Sequence, residues 1–278
     1  MKKAKIWSKT SDKLLIELPE IPDVWPLDRD IVFPSTAVCA LAVHMELEKV
    51  IGSIPADINQ QGVVHEEYKK LFGVDKKGAE EMANIPEETY KDVAERYKDM
   101  EKLLESLCVF RRHNGKLSAV SGMVRSAIAT ATKVLGIARK LTHIKDAVTV
   151  DPEIFPFYYF ENDPNNSKVE PVTEPEVIVT RTIQVDYPKK SIIAYNEGIG
   201  FPKDMGGSGK PVHLFYYMFS TNENITKDIN LLLGKKTSEK KVPTYIALLE
   251  HWLHFLGFST GRHHGFGVIK KIEVVRVV

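Results

Sequence analysis

The sequence predicts an α+β fold, on three observations. Apolar residues recur at helical spacing through much of the first half, β-branched and aromatic runs crowd together after Asp151, and a final helical stretch passes through a glycine-rich connector into a terminal strand. With 278 residues, the chain is long enough for one large domain or two small ones. Its composition, 43% hydrophobic and 27% charged, excludes disorder as the general state.

Each element follows from local pattern. Lys3 to Leu18 contains the run Leu14-Leu-Ile-Glu-Leu18 and reads as a strand pair, which prolines 19, 22 and 26 end. Ser35, after Pro34, is a candidate N-cap for a helix over Thr36 to Ile51, where Val38, Leu41, Ala42, Met45 and Val50 recur at helical spacing. Two further helices are expected between His65 and Leu107, broken near Gly73 to Gly78 and at Pro86. Ser118 to Leu141 alternates small with large apolar residues and carries Arg125, Lys133, Arg139 and Lys140, so it reads as a buried helix with a basic end. Strands are expected at Ile154 to Phe160, Val177 to Val185, Ser191 to Tyr195 and Val212 to Phe219. The turn Asp204 to Lys210 holds Gly206, Gly207 and Gly209 and is expected to be mobile, because glycine loses most conformational freedom on ordering. A helix through Pro243 to Leu256 stops at Gly257, and Val268 to Val278 closes the chain as a strand.

Thirty-eight Lys and Arg against thirty-seven Asp and Glu leave a net charge of +1, so only local clustering can argue for a polyanionic partner. Lys235, Lys236, Lys240 and Lys241 form one such cluster, for which a solvated loop is the commoner use. Cys39 and Cys108 lack metal-ligand spacing and fit a reduced, buried role. The charged opening has no apolar run behind it and no window suits a bilayer, so the expectation is a cytoplasmic protein with no membrane partner. His251, His254, His263 and His264 lie near one another in sequence, but no carboxylate or cysteine joins them at a diagnostic spacing. Neither a metal nor another cofactor is expected.

The connector Phe258-Ser-Thr-Gly-Arg-His-His-Gly-Phe-Gly267 carries the functional argument. Bare backbone at Gly261, Gly265 and Gly267 can approach a phosphate chain and offer N–H groups to it, while Arg262 and His263 supply charge. The order helix, glycines, strand is the reverse of the nucleotide-binding glycine motifs. A tight turn alone is the competing use of these glycines.

The run Leu256-Gly-Phe-Ser-Thr-Gly-Arg-His-His-Gly-Phe-Gly267 between a helix and a closing strand resembles the carboxy-terminal glycine-rich signature of the repeat-associated (RAMP) superfamily of CRISPR proteins. Leu117-Ser-Ala-Val-Ser-Gly-Met-Val-Arg-Ser-Ala127 is similar to the family's first-helix segment, matching it at Gly122 and Arg125. It departs from the family by lacking the proline-glycine pair and by Ser121 standing where a lysine is common. Val177 to Asp186, followed by Tyr195-Asn-Glu197, resembles the strand that leads into the β-hairpin thumb of the subunits coating CRISPR RNA.

The resemblance implies a ferredoxin-like, RNA-recognition-type core over 1–34 and 111–278, with a β-hairpin thumb insertion and an N-terminal helical insertion at 35–110. It implies a backbone subunit of an RNA-guided antiviral complex, whose partners are CRISPR guide RNA, other copies of itself and other effector subunits. Ser118, Ser121, Gly122, Arg125, Lys133, Arg181, Gly261, Arg262, His263, Gly265 and Gly267 are the implied RNA contacts. A solvated helix position is the competing use of Arg125, and pairing with Asp186 or Glu197 that of Arg181.

Two enzymatic alternatives stay open. A metal-independent endoribonuclease that processes CRISPR RNA would use a histidine as general acid or base, and His44 is the candidate, although its neighbours are those of a core histidine. A target-cleaving backbone subunit would use an aspartate in the loop holding Asp23, Asp28 and Asp30, where turn chemistry is the ordinary reading. An assembly protein that binds no nucleic acid is the third class.

Overall fold

Val43, Met45 and Leu47 alternate with His44, Glu46 and Glu48, and this period of two decides the conformation of the segment in which a helix was expected. In the computed structural model, which describes residues 2–8, 11–21, 39–56, 87–97, 107–134, 148–160, 169–186, 189–220, 257–258 and 265–276, Cys39–Glu48 is a strand. The helix predicted over Thr36 to Ile51 is therefore corrected. The apolar residues of this run satisfy both periods, and pairing on both edges settles the choice in favour of the strand.

In chain order, β1 (Lys2–Ser8) and β2 (Ser11–Ile21) form the antiparallel pair expected at the start. The strand above is β3, followed by β4 (Val50–Ile51) and β5 (Ile54–Pro55). Helix α1 (Glu87–Arg96) begins directly after Pro86, which suits the start of a helix because its missing N–H has no intrahelical partner to lose. Next come β6 (Leu107–Val109), β7 (Arg111–His113) and β8 (Lys116–Val120), then helix α2 (Ser121–Val134). Ser118, predicted as helical, lies on β8. The β-rich remainder comprises β9 (Val148–Asp151), β10 (Ile154–Pro156), β11 (Tyr158–Phe160), β12 (Val169–Pro171), β13 (Val177–Asp186), β14 (Lys189–Ile199), β15 (Val212–Ser220) and β16 (Val268–Arg276). The expected helix at Pro243 to Leu256, the basic run at Lys235 to Lys241 and Arg139 and Lys140 lie outside the described residues.

A six-stranded sheet runs β12-β11-β15-β3-β16, with β9 also paired to β15. Along β16, β3, β15 and β9 every pairing is antiparallel. The inward residues Val43, Met45, Leu47, Leu214, Tyr216 and Met218 meet Val124, Ala127 and Ile128 of α2 in one buried cluster. The small residues of α2 let its backbone come close to the sheet, as their spacing predicts.

A second sheet has the order β13-β14-β6-β5, with β4 also on β14. Its β13–β14 hairpin keeps one unbroken register from Val177↔Gly198 to Asp186↔Lys189. The remaining sheet is β10-β8-β7. The turn expected to be mobile at 204–210 is instead tied down. The Glu176 carboxylate accepts hydrogen bonds from the Phe201 and Ser208 amides at 3.1 and 3.3 Å and from the Ser208 hydroxyl, and the Gly209 amide donates to the Phe201 carbonyl at 2.9 Å.

Gly52 sits where two backbones nearly touch: a Cβ there would lie 2.4 Å from the Val109 carbonyl carbon. Its N–H donates to the Glu197 carbonyl at 2.9 Å. Gly52→Ala is expected to push β6 away and lower stability by about 1–3 kcal/mol. Urea unfolding followed by circular dichroism measures this, and a loss below about 0.5 kcal/mol would contradict the close approach.

Candidate nucleic-acid interface

Three segments that are distant in sequence meet at Lys49. Its N–H donates to the Gly200 carbonyl at 3.0 Å, and its own carbonyl accepts from the Gly267 N–H at 2.8 Å. The Phe258 N–H donates to the Gly267 carbonyl at 2.8 Å, so the two ends of the glycine-rich connector are closed on each other. Lys49 has a φ of 54°, a left-handed conformation uncommon for a residue with a Cβ, and Gly200 and Gly267 share that region at 70° and 64°. The connector thus leaves the end of β3 beside the root of the β13–β14 hairpin.

The glycines divide by role. Gly267 is buried and serves this junction, whereas Gly265 is exposed, with φ of 80° and open space where a side chain would be. Gly261, Arg262 and His263 lie outside the described residues. On the β8–α2 segment, Ser118 and Ser121 are buried at 4% and 5% exposure, so both are turned inward. The Ser118 hydroxyl donates to the Lys116 carbonyl at 3.1 Å, and the Ser121 amide donates to the Glu153 carbonyl at 2.7 Å. Gly122 and Arg125 are half-buried, and Lys133 falls in the last turn of α2.

The Asp186 side chain lies outside the described residues, and Arg181, half-buried on β13, does not pair with Glu197. Its Nε donates to Asn196 Oδ1 at 3.1 Å, and Asn196, fully buried, donates from Nδ2 to the Gly52 carbonyl at 2.9 Å. Burial pushes the nearby Cys108 thiol above its ordinary pKa, against the lowering effect of the Arg181 guanidinium.

Glu197 is committed elsewhere, in a network that sequence reasoning missed. Arg112 grips it with two hydrogen bonds of 2.8 Å, while the Tyr97 hydroxyl and the Phe110 amide each donate to it at 2.9 Å. Arg112 also donates from Nε to Asp92 at 2.9 Å and from its backbone N–H to Thr89 Oγ1 at 2.9 Å. Burial alone would lower the guanidinium's proton affinity, but the bonds and charge of Glu197, with those of Asp92, outweigh it and raise the pKa. Burial first, and then the Glu197 charge, holds the Tyr97 phenol well above its ordinary pKa. The sequence did carry one signal for this region, Asn114-Gly115 between apolar runs, a strong hairpin marker.

His44, the histidine considered for catalysis, is half-buried and shares a 3.0 Å hydrogen bond with His213. It stacks on Phe215 with ring centroids 4.6 Å apart and meets Phe160 edge-on. Asp23, Asp28 and Asp30 lie outside the described residues. Among the described residues no group of three or more His, Cys, Asp and Glu could hold a metal ion, and no helix is long and apolar enough to cross a membrane.

No protein-family model matches the chain, and no curated protein matches it either. Among solved structures, the chain is similar to one from a Type III-B Cmr-β complex bound to cognate target RNA, determined by cryo-EM. The identity is 8% and the TM-score 0.34, over 87% of this chain. The aligned region spans 62% of the length of that other chain.

Proposed function

We propose that this chain is an RNA-binding subunit of the RAMP superfamily that lies along a CRISPR guide RNA in repeated copies, within a cytoplasmic effector complex. It would grip the sugar-phosphate backbone without reading sequence. The observation that carries this reading is the Lys49 junction, which fixes both ends of the glycine-rich connector beside the root of the long β13–β14 hairpin. Bare, exposed backbone at Gly265 on one element and a long hairpin on the next suit a polymer that must be held at phosphate level and accepted whatever its bases.

The order of the main sheet supports a ferredoxin-like core. Taking β3, α2, β9, β15, the helical pattern at Pro243 to Leu256 and β16 in chain order gives βαββαβ, and the strands lie side by side as β16-β3-β15-β9. In this reading β3, not the N-terminal pair, is the first core strand. The inserted segment then begins after β5 rather than at residue 35, and the β13–β14 hairpin is the thumb.

Filter binding with two RNAs of equal length and unrelated sequence tests the proposal. Affinities within about threefold of each other are expected, falling steeply and log-linearly with salt. Arg262→Ala should flatten that salt slope by about 0.7, the share of one single-strand phosphate contact. Affinity that follows base sequence, or a protein that purifies as a monomer and retains no RNA at low salt, would overturn the reading.

A further inference from the structure

The tip of the β7–β8 hairpin is built around two backbone amides that converge on one carboxylate. Asn114 and Gly115 both have positive φ, 52° and 70°, and their N–H groups both donate to the Glu88 side chain, the first at 3.0 Å to Oε2 and the second to Oε1. Both turn residues are exposed, so the tip faces solvent, and the space in front of the two amides is filled by the Glu88 carboxylate alone among the contacts they make. Lys116 follows the turn and adds a cationic group at its base.

We infer that this hairpin tip is a phosphate-binding site, in which the Glu88 carboxylate stands in for the anion. Two oxygens of a carboxylate and two of a phosphate present the same pair of acceptors to consecutive N–H groups, and a charged acceptor strengthens both bonds. Glu88 reaches the tip from the first turn of α1, but it does not hold that helix in place by itself. Thr89 and Asp92 each bond Arg112 independently, so α1 stays docked when the Glu88 side chain leaves. The carboxylate is thus a displaceable occupant, and displacement opens the site.

The tip stands at one end of β8 and Ser121, the start of α2, at the other. We take an RNA phosphodiester as the anion, an assignment that rests on the function proposed above. The anion chemistry itself does not depend on it.

The test is amide NMR on the full chain, comparing the wild type with Glu88→Ala and Lys116→Ala. Inorganic phosphate should shift the Asn114 and Gly115 resonances saturably in Glu88→Ala, with half-saturation at least about tenfold lower than in the wild type, and Lys116→Ala should weaken the response. Chemical shifts elsewhere in α1 report whether each variant remains folded. If Glu88→Ala loses α1, Glu88→Gln, which keeps the side chain but removes its charge, must show the same gain. Amides that ignore phosphate in a folded Glu88 variant overturn the site. A short oligoribonucleotide separates the two sources of phosphate. RNA that binds without moving these amides overturns the RNA assignment and leaves the proposed function standing. A chain that takes phosphate here but binds no RNA overturns the proposed function and not the site.

Discussion

Arg112→Ala is expected to cost the fold about 3–5 kcal/mol, the usual penalty for breaking a buried ion pair from one side. The substitution leaves the Glu197 carboxylate, 0% exposed, without its counter-charge. It also strips Asp92 of the Nε donor that helps dock α1, while the backbone N–H at position 112 still reaches Thr89. Urea unfolding at about pH 7 measures the loss. The double variant Arg112→Met with Glu197→Leu should recover part of the loss but not all of it, because the Phe110 amide and the Tyr97 hydroxyl lose their acceptor. A penalty below about 1 kcal/mol at neutral pH would mean that water reaches Glu197 and that the network does not hold α1 to the hairpin root.

The same network explains which parts of the molecule can be read in a single sequence. Strands such as β13 and β15 are visible because a run of β-branched and aromatic residues needs no knowledge of its partner, and α1 is visible because Pro86 announces it. β3 was misread because Ala42, Val43, Met45 and Leu47 fit a helix and a strand equally, and the pairing that decides between them comes from residues about 170 and 230 positions later. The site shows the same division. The glycine-rich connector can be read from spacing, but Lys49, on which it closes, has no local marker, since nothing in Glu48-Lys-Val50 signals a left-handed backbone. Arg112 looks like one more cation until Glu197 arrives from 85 residues away. Local chemistry is written in the sequence; a contact across the fold is visible only once the fold is known.

Raising the pH above about 10 should unfold the protein within one to three pH units, because four of the described tyrosines are held neutral by burial. Tyr216 is completely buried, Tyr97 and Tyr158 are 6% and 7% exposed, and Tyr159 is half-buried. Burial raises all four phenol pKa values, helped at Tyr97 by the Glu197 charge and at Tyr159 by the hydrogen bond to Glu176. The sign follows from proton counting. Below about pH 10 the phenols are protonated in both states and contribute nothing to the pH dependence; above it the unfolded chain gives up protons that the native state keeps, so stability falls. Each such tyrosine removes about 1.4 kcal/mol per pH unit, and four together remove about 5.5, against a total stability of about 5–15 kcal/mol for an ordinary domain. The urea midpoint should thus be flat from about pH 8 to 9.5 and drop sharply above 10. Phenolate absorbance should rise in a fast phase for exposed tyrosines and in a slow phase tied to unfolding for the buried ones. Tyr216→Phe provides the internal control. Its hydroxyl donates at 3.3 Å to the Met45 sulfur, a weak acceptor, so its removal should change neutral-pH stability by less than about 1 kcal/mol. The alkaline slope should nevertheless become shallower by about one quarter. A slope unchanged in Tyr216→Phe would show that this phenol ionises in place, and that the core between the main sheet and α2 admits water.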